Sequence, residues 1–412
     1  MNVRIRPGRL RGAVTPPPSK SQAHRLMICA ALAEGESVIR NVAFSQDIRA
    51  TLGCVSALGA KWTDLGRGVI QIEGIGGKEY RGELPRLDCG ESGSTLRFFL
   101  PIALAVAGGA VFTGRGRLMQ RPQKPYFDLF DGMGIEYEQK GDVLKVKGRL
   151  RAGQYRLPGN VSSQFFTGLL FALPLLDGKS EMIPTTELES LDYIRMTIQA
   201  QELAGLEPPG RENGGFVVKG QSYRPMEVSV EADWSQAGFW YAARALGSDV
   251  EICGMSDASL QGDKRIAEFA RLLSREGDAE IDVSQCPDLV PPLAAMAAVR
   301  KGDCRITGAA RLRIKESDRL ATVTAALNAL GAKVEEYPEE LLIHGVDVLR
   351  GGAVIDCCND HRIAMMCAVA ATRCRGGDTV LLGAECVRKS YPDFWQVYRE
   401  LGGDMDVLDM GE

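Results

Sequence analysis

One turn-then-helix segment, polar at its start and small and apolar beyond, occurs six times along the chain. The copies are SKSQAHRLMICAALAEG from Ser19, ESGSTLRFFLPIALAVAG from Glu91, VSSQFFTGLLFALPLLDG from Val161, DWSQAGFWYAARALG from Asp233, PDLVPPLAAMAAVRKG from Pro287 and NDHRIAMMCAVAATRCRG from Asn359. A strand-like run follows each copy, and a second helix then closes on a glycine-containing turn at Gly59, Gly134, Gly205, Gly277, Gly331 and Gly402. These glycines lie 75, 71, 72, 54 and 71 residues apart, a regularity that chance does not produce. Repeats that cannot bury their apolar face alone must stack on their neighbours. A chain of 412 residues also exceeds what one core usually holds, so two lobes of three units each are expected.

Between units, LKVKGRLRAGQYRL, FVVKGQSYRPMEVSV and LLIHGVDVLRGGAVI read as strand pairs joined by Gly or Arg-Gly turns. The N-terminal VRIRPGRLRGAV reads as a hairpin of the same kind for the first unit. The short 54-residue spacing marks the unit in which the hairpin is nearly gone, around AEIDVSQCPD. Ala-rich helices such as CAVAATRC and LAAMAAV suit the interior of a domain, which leaves the polar turns standing at their N-termini. The acidic stretch VSVEADWSQ is where the chain crosses between lobes, and the two lobes are expected to face each other across a cleft.

Hydrophobic residues make up 45% of the chain and charged residues 25%, enough to build large cores. The net charge of -4 lacks the basic field that nucleic-acid binding requires, so any anion site must be local. The longest apolar run, FFLPIALAVAGGAVF, is too short and too broken by Pro and Gly to span a bilayer. Eleven cysteines without C-x-x-C spacing and only three histidines, His24, His344 and His361, point to no metal site and to reduced, buried thiols in the cytosol.

The polar turns carry the chemistry. Lys20, Ser21 and Arg25 at a helix N-terminus, where N–H groups and a partial positive charge converge, form an anion site. Either Ser19 or Ser21 alone would read as an N-cap. The turn GESGST contains Gly93, and MQRPQKP holds Arg121 and Lys124 on a proline-restricted segment suited to gripping an anion. Ser162, Ser163 and Gln164 offer three uncharged polar groups beside the apolar FFTGLLFALP.

In RLRIKESDRL, Lys315, Glu316 and Arg319 cluster at the start of a second helix, where the other units carry SQDIR, QRPQKP, ESLDYIR, QGDKR and RKSYPDF. Taken alone they would be ordinary helix-surface pairs. NDHRIAM adds Asp360, His361 and Arg362, His361 by itself reading as a packed histidine, and CPDLVPP sets Asp288 between prolines. Cations (Lys20, Arg25, Arg121, Lys315, Arg319, Arg362, Lys389) outnumber the carboxylates Asp288 and Glu316. That balance fits two anionic small molecules and acid–base catalysis.

The segments SKSQAHR, ESGSTLR, QRPQKP, VSSQF, PDLVPP, RIKESDRL, NDHRIAM and KSYPDF, spread over almost the whole chain, resemble the 5-enolpyruvylshikimate-3-phosphate synthase family. The resemblance implies an α/β fold of two lobes, each of three βαβαββ units in an inside-out α/β barrel. The lobes are residues 15–228, and 229–412 closed by 1–14. It implies enolpyruvyl transfer from phosphoenolpyruvate to the 5-hydroxyl of shikimate 3-phosphate by a cytoplasmic enzyme, expected to be a monomer, with no cofactor or metal and no nucleic-acid or membrane partner.

By the same resemblance, shikimate 3-phosphate falls to Lys20, Ser21, Arg25, Ser162, Ser163, Gln164, Ser190, Tyr193, Asp288 and Lys315. Phosphoenolpyruvate falls to Lys20, Gly93, Arg121, Gln164, Arg319, Arg362 and Lys389. Asp288, Glu316 and Lys20 are the implied proton-transfer groups. Two positions depart from the family pattern: Glu91 stands where Asn is frequent, and Arg311 where a shikimate-side Asn is frequent. A sibling transferase acting on UDP-N-acetylglucosamine is the alternative within the fold, but MQRPQKP lacks its loop Cys and SKSQ its Lys-Asn signature. A non-catalytic anion-binding repeat protein is the alternative outside it, and the presence of both Asp288 and Glu316 argues against that.

Overall fold

The computed structural model describes residues 1–77 and 80–408; Lys78, Glu79 and residues 409–412, the end of the expected second lobe, lie outside the described residues. The chain packs as two compact units, one of Pro18–Glu231 and the other of Met1–Pro17 together with Ala232–Glu412.

At the centre of the Pro18–Glu231 unit are the helices Lys20–Leu32, Gly93–Val106 and Ser163–Ala172. Their residues are small or apolar on nearly every face, so burial all round is the stable arrangement. Ala23 through Leu32 are all buried, as are Thr95 through Leu104. Close packing is helped at Gly168, where a Cβ would come within 2.4 Å of the Arg97 carbonyl oxygen.

Three four-stranded sheets enclose these helices, and all have one order: a short strand parallel to the next, followed by an antiparallel hairpin. In the first, Glu227–Ser229 runs parallel to Glu36–Arg40, which pairs with Val69–Glu73 and then Lys61–Gly66. The others are Arg86–Asp88, Gly109–Thr113, Val143–Lys147 and Glu136–Lys140, and Gln154–Leu157, Lys179–Pro184, Gly215–Lys219 and Gly210–Glu212.

The second unit repeats the plan around Trp234–Ala245, Val290–Ala297 and His361–Ala371, the last of which is buried at every residue. One sheet has the order Ala279–Asp282, Asp303–Thr307, Leu341–His344, Lys333–Glu336. Another has Val354–Asp356, Thr379–Leu382, Asn2–Ile5, Met405–Leu408. The third is reduced to Asp249–Ile252 and Arg11–Val14 in parallel, the hairpin being absent where the short repeat spacing indicated. Among the described residues, no helix is long and apolar enough to cross a membrane.

The fold bears out the α/β repeat architecture and corrects four pairings. LKVK and QYRL, FVVK and MEVSV, and LLIH and AVI are not hairpins: each pair divides between successive sheets. The true hairpins lie one strand earlier, turning for example at Arg67-Gly68 and Asn213-Gly214, where both residues have positive φ. Such two-residue turns match the twist of paired strands, whereas the longer Gly-containing linkers let the chain step to the next sheet. Nor is the N-terminal segment a hairpin of the first unit: Asn2–Ile5 lies between Thr379–Leu382 and Met405–Leu408, while Arg11–Val14 joins Asp249–Ile252.

Because Asn2–Ile5 is an interior strand, Ile5, fully buried, should behave as a core residue. Ile5→Ala is expected to destabilise the protein by about 2–5 kcal/mol in urea unfolding; a change near zero would show that the strand contributes little.

Candidate active site

In the unit containing Ala232–Glu412, Arg319 begins the helix Arg319–Ala329, whose N-cap is Asp318, and its guanidinium is 1% exposed. It donates from Nε to Asp360 Oδ2 at 2.8 Å, from one terminal nitrogen to Asp288 Oδ1 at 2.7 Å, and from the other to Glu316 Oε2 at 2.6 Å and Asp360 Oδ1 at 3.2 Å. A planar five-donor cation is the side chain able to tie three carboxylates at once. Burial lowers its pKa, but Asp360, Glu316 and Asp288 raise it by more, so Arg319 remains charged.

Asp288 sits in the 3₁₀ turn Pro287–Leu289 that leads into the central helix Val290–Ala297. Besides Arg319, its carboxylate meets Lys315 Nζ at 3.3 Å and an Arg362 terminal nitrogen at 3.4 Å. Arg362 also donates to the Asp288 carbonyl at 3.1 Å and to Ser235 Oγ at 2.6 Å. Burial pushes the Asp288 pKa up, yet Arg362, Lys315 and Arg319 together hold it well below the ordinary carboxylate value.

Asp360 is fully buried and caps the helix His361–Ala371 through the Arg362 N–H at 3.0 Å while accepting from Ser317 Oγ at 2.9 Å. It follows two non-glycine residues in left-handed conformation, Cys358 and Asn359, a strained approach that the packing of the turn sustains. Lys389 closes the 3₁₀ segment Ala384–Lys389 and donates to the Asn359 carbonyl at 2.6 Å. Arg319, Lys315 and Arg362 thus meet three carboxylates, and Lys389, fastened to the adjoining turn, is a fourth cation, a positive surplus suited to an incoming anion.

In the Pro18–Glu231 unit, Lys20 opens the first central helix and reaches Asp47 Oδ2 at 2.7 Å. Arg25 is 2% exposed and donates to the Ser21 and Tyr193 carbonyls at 2.7 and 2.9 Å and to Thr197 Oγ1 at 2.9 Å, with its guanidinium carbon 5.7 Å from the Tyr193 ring centre. No carboxylate pairs with it among the described residues, and burial brings its pKa down to about 10. Arg25 thereby ties Ser21 to the helix Leu191–Leu203, whose preceding residue Ser190 is left-handed, with φ of 54°.

Ser162 caps the helix Ser163–Ala172 through the Gln164 N–H at 3.3 Å, and Ser163 is buried. The Gln164 amide accepts from Arg97 at 2.9 Å and donates to Ser94 Oγ at 3.0 Å. Gly93 opens the helix Gly93–Val106 beneath the Arg121 guanidinium: a Cβ there would lie 2.4 Å from an Arg121 terminal nitrogen. Only glycine permits that approach.

Within the second unit, therefore, Asp288, Lys315, Glu316, Arg319 and Arg362 come into one cluster, with Lys389 fastened to the turn that bears Asp360. Within the first, Gly93 meets Arg121, Gln164 meets the Gly93 helix through Ser94, and Ser21, Arg25 and Tyr193 form one group. Asp360, Arg97 and Asp47 were absent from the expected site. Asp360 and Asp47 stood in polar clusters at helix starts, NDHR and SQDIR, and Arg97 three residues after Ser94; each reads alone as a cap or surface charge. Among the described residues no His, Cys, Asp and Glu group is arranged to hold a metal ion.

The family model described as EPSP synthase (3-phosphoshikimate 1-carboxyvinyltransferase) matches residues 5–398. The 3-phosphoshikimate 1-carboxyvinyltransferase of Clostridium beijerinckii is 44% identical over 435 aligned positions, covering 100% of both chains. That of Clostridioides difficile is 42% identical, again across both whole chains. Two solved structures share the fold. EPSP synthase from Acinetobacter baumannii superposes with a TM-score of 0.80 at 24% identity, covering 99% of this chain and 100% of that one. The enolpyruvyl transferase NikO from Streptomyces tendae gives 0.77 at 18% identity, covering 98% of each. With its six repeat units and their charged helix ends, this chain belongs to the EPSP synthase family.

Proposed function

We propose that these helix ends carry the family's reaction, transfer of the enolpyruvyl group of phosphoenolpyruvate to the 5-hydroxyl of shikimate 3-phosphate with release of phosphate. The observation that carries the assignment is Asp288, one carboxylate held by Arg319, Lys315 and Arg362 at 2.7, 3.3 and 3.4 Å.

Asp288 is ionised at neutral pH and, under three cations, a weak base. Anionic substrates that take up the charge of Arg319, Arg362 and Lys315 raise its basicity as they bind, so the base strengthens when there is a proton to accept. It takes the 5-hydroxyl proton as the hydroxyl oxygen bonds to C2 of phosphoenolpyruvate. Glu316 with Lys20 protonates the methylene carbon, giving a tetrahedral ketal. Glu316 with Lys20 then takes back a methyl proton as phosphate leaves, carrying the proton first given up by the 5-hydroxyl, and the carbon–carbon double bond is regenerated as the enol ether. Cations fixed around the phosphate lower the barrier by opposing developing charge.

For binding, Lys20, Gly93, Arg121, Gln164, Arg319, Arg362 and Lys389 are assigned to phosphoenolpyruvate. Lys20, Ser21, Arg25, Ser162, Ser163, Gln164, Ser190, Tyr193, Asp288 and Lys315 are assigned to shikimate 3-phosphate. Arg25 spends three of its five donors on Ser21, Tyr193 and Thr197, which holds that group in place, and its charge and remaining N–H groups serve the anion. The reading includes a monomer in the cytoplasm, where buried thiols such as Cys29 and Cys367 remain reduced. Neither the UDP-N-acetylglucosamine transferase nor a non-catalytic binder is favoured by the family match.

Asp288→Asn is expected to keep binding of shikimate 3-phosphate in calorimetry and to lose on the order of 10² to 10⁴ in turnover, since an amide cannot accept the proton. Near-normal turnover would remove Asp288 from the mechanism. Gly93→Ala pushes a methyl into the Arg121 guanidinium. It should raise KM for phosphoenolpyruvate by about 10-fold through the displaced cation. An unaltered KM would show that Arg121 does not hold this substrate.

A further inference from the structure

His24, four residues after Lys20 on the first central helix, is 1% exposed, and a line of buried hydrogen bonds leads from it. Its Nδ1 lies 2.7 Å from Thr51 Oγ1, which lies 2.8 Å from Thr95 Oγ1, and Thr95 Oγ1 donates to Ser92 Oγ at 2.7 Å. Thr51 and Thr95 are fully buried and Ser92 is 1% exposed. Ser92 is the N-cap of the helix Gly93–Val106, accepting the Thr95 N–H at 3.2 Å.

The proton order along this line is determined, because each hydroxyl has one hydrogen. Thr95 uses its hydrogen on Ser92, so Thr51 must donate to Thr95, and the contact between His24 and Thr51 then requires a hydrogen on Nδ1. The other ring nitrogen agrees. Among the described residues His24 Nε2 is buried without a hydrogen-bond partner, which suits a bare lone pair far better than an orphaned N–H. Burial, with the charges of Lys20 and Arg25 nearby, holds the ring neutral.

The geometry extends to the site. Lys20 pairs with Asp47, and one helical turn further on His24 pairs with Thr51, so two rungs join the same two helices. The second rung continues to the cap directly before Gly93. We propose that His24, fixed as its neutral Nδ1–H tautomer, is a positioning residue that sets the Ser92–Ser94 turn, and with it the backbone at Gly93, for phosphoenolpyruvate. This rests on the assignment of Gly93 to that substrate.

Two measurements test it. The chain has three histidines, so a long-range proton–nitrogen NMR spectrum compared with that of His24→Asn identifies the ring. Nδ1 should be protonated, Nε2 bare, and the pattern constant from about pH 5 to 8, the range in which an exposed histidine titrates. A hydrogen on Nε2, or titration in that range, would overturn the proposal. In kinetics, His24→Leu and Thr51→Val should each raise KM for phosphoenolpyruvate by roughly 5- to 10-fold, the effect of one buried hydrogen bond, with kcat and the affinity for shikimate 3-phosphate little changed. His24→Asn, whose amide replaces the Nδ1 donor, should restore KM, and the Leu/Val double variant should be no worse than either single one. An equal loss for both substrates, or no rescue by Asn, would contradict the role. Absence of turnover in the unaltered enzyme would refute the functional reading alone; the tautomer spectrum, with direct titration of phosphoenolpyruvate into His24→Leu, would still decide the role of His24.

Discussion

The buried guanidinium of Arg319 organises the second unit's chemistry. It binds Asp360 from the start of one central helix, Asp288 from the turn before another, and Glu316 from its own segment. Removing one partner from such a buried set typically costs about 3–5 kcal/mol, because the charges left behind are uncompensated. The arrangement also dictates reactivity: a carboxylate pinned by cations is a poor base until an anion competes for them. Stability of the empty site and readiness of the occupied one come from the same contacts.

Those contacts depend on a core that delivers helix N-termini. The central helices are apolar on all sides and leave their polar starts as the places where charge can collect; the sheets shield their flanks. Each unit closes its sheets with strands from distant parts of the chain. Glu227–Ser229 completes the sheet of Glu36–Arg40, and Asn2–Ile5 fills the interior of a sheet otherwise built from residues beyond 350. Such long-range closure makes each unit cooperative and requires loop-closure entropy to be overcome before the last strand gives any stabilisation.

Much of this was legible in the sequence. The six repeats, the burial of the Ala-rich helices and the charged helix starts follow from periodicity and composition, because those features repeat locally. Strand partners did not. Val143–Lys147 and Gln154–Leu157 are neighbours in sequence separated by Gly, and only the turn conformation distinguishes a hairpin from a step to the next sheet. The Asn213-Gly214 dipeptide was the available signal, a strong hairpin former overlooked beside a longer glycine-rich linker. Of the site, Asp288 and the Lys315–Arg319 run were found by charge at helix starts. Asp360 was picked out at its helix start but given no role in the site, because its importance lies in accepting from Arg319, a residue 41 positions away. His24 entered the sequence reading only as one of three histidines, because its link to Ser92 passes through two threonines that no local pattern marks.

The central claim is that this chain brings phosphoenolpyruvate into reaction with shikimate 3-phosphate. Phosphorus NMR of the protein incubated with shikimate 3-phosphate and phosphoenolpyruvate tests it most directly. The account predicts that inorganic phosphate and the enolpyruvyl ether of shikimate 3-phosphate appear in equal amounts, with no metal added, while either substrate alone stays unchanged. Phosphoenolpyruvate that persists beside shikimate 3-phosphate, yet is consumed with UDP-N-acetylglucosamine, would contradict it.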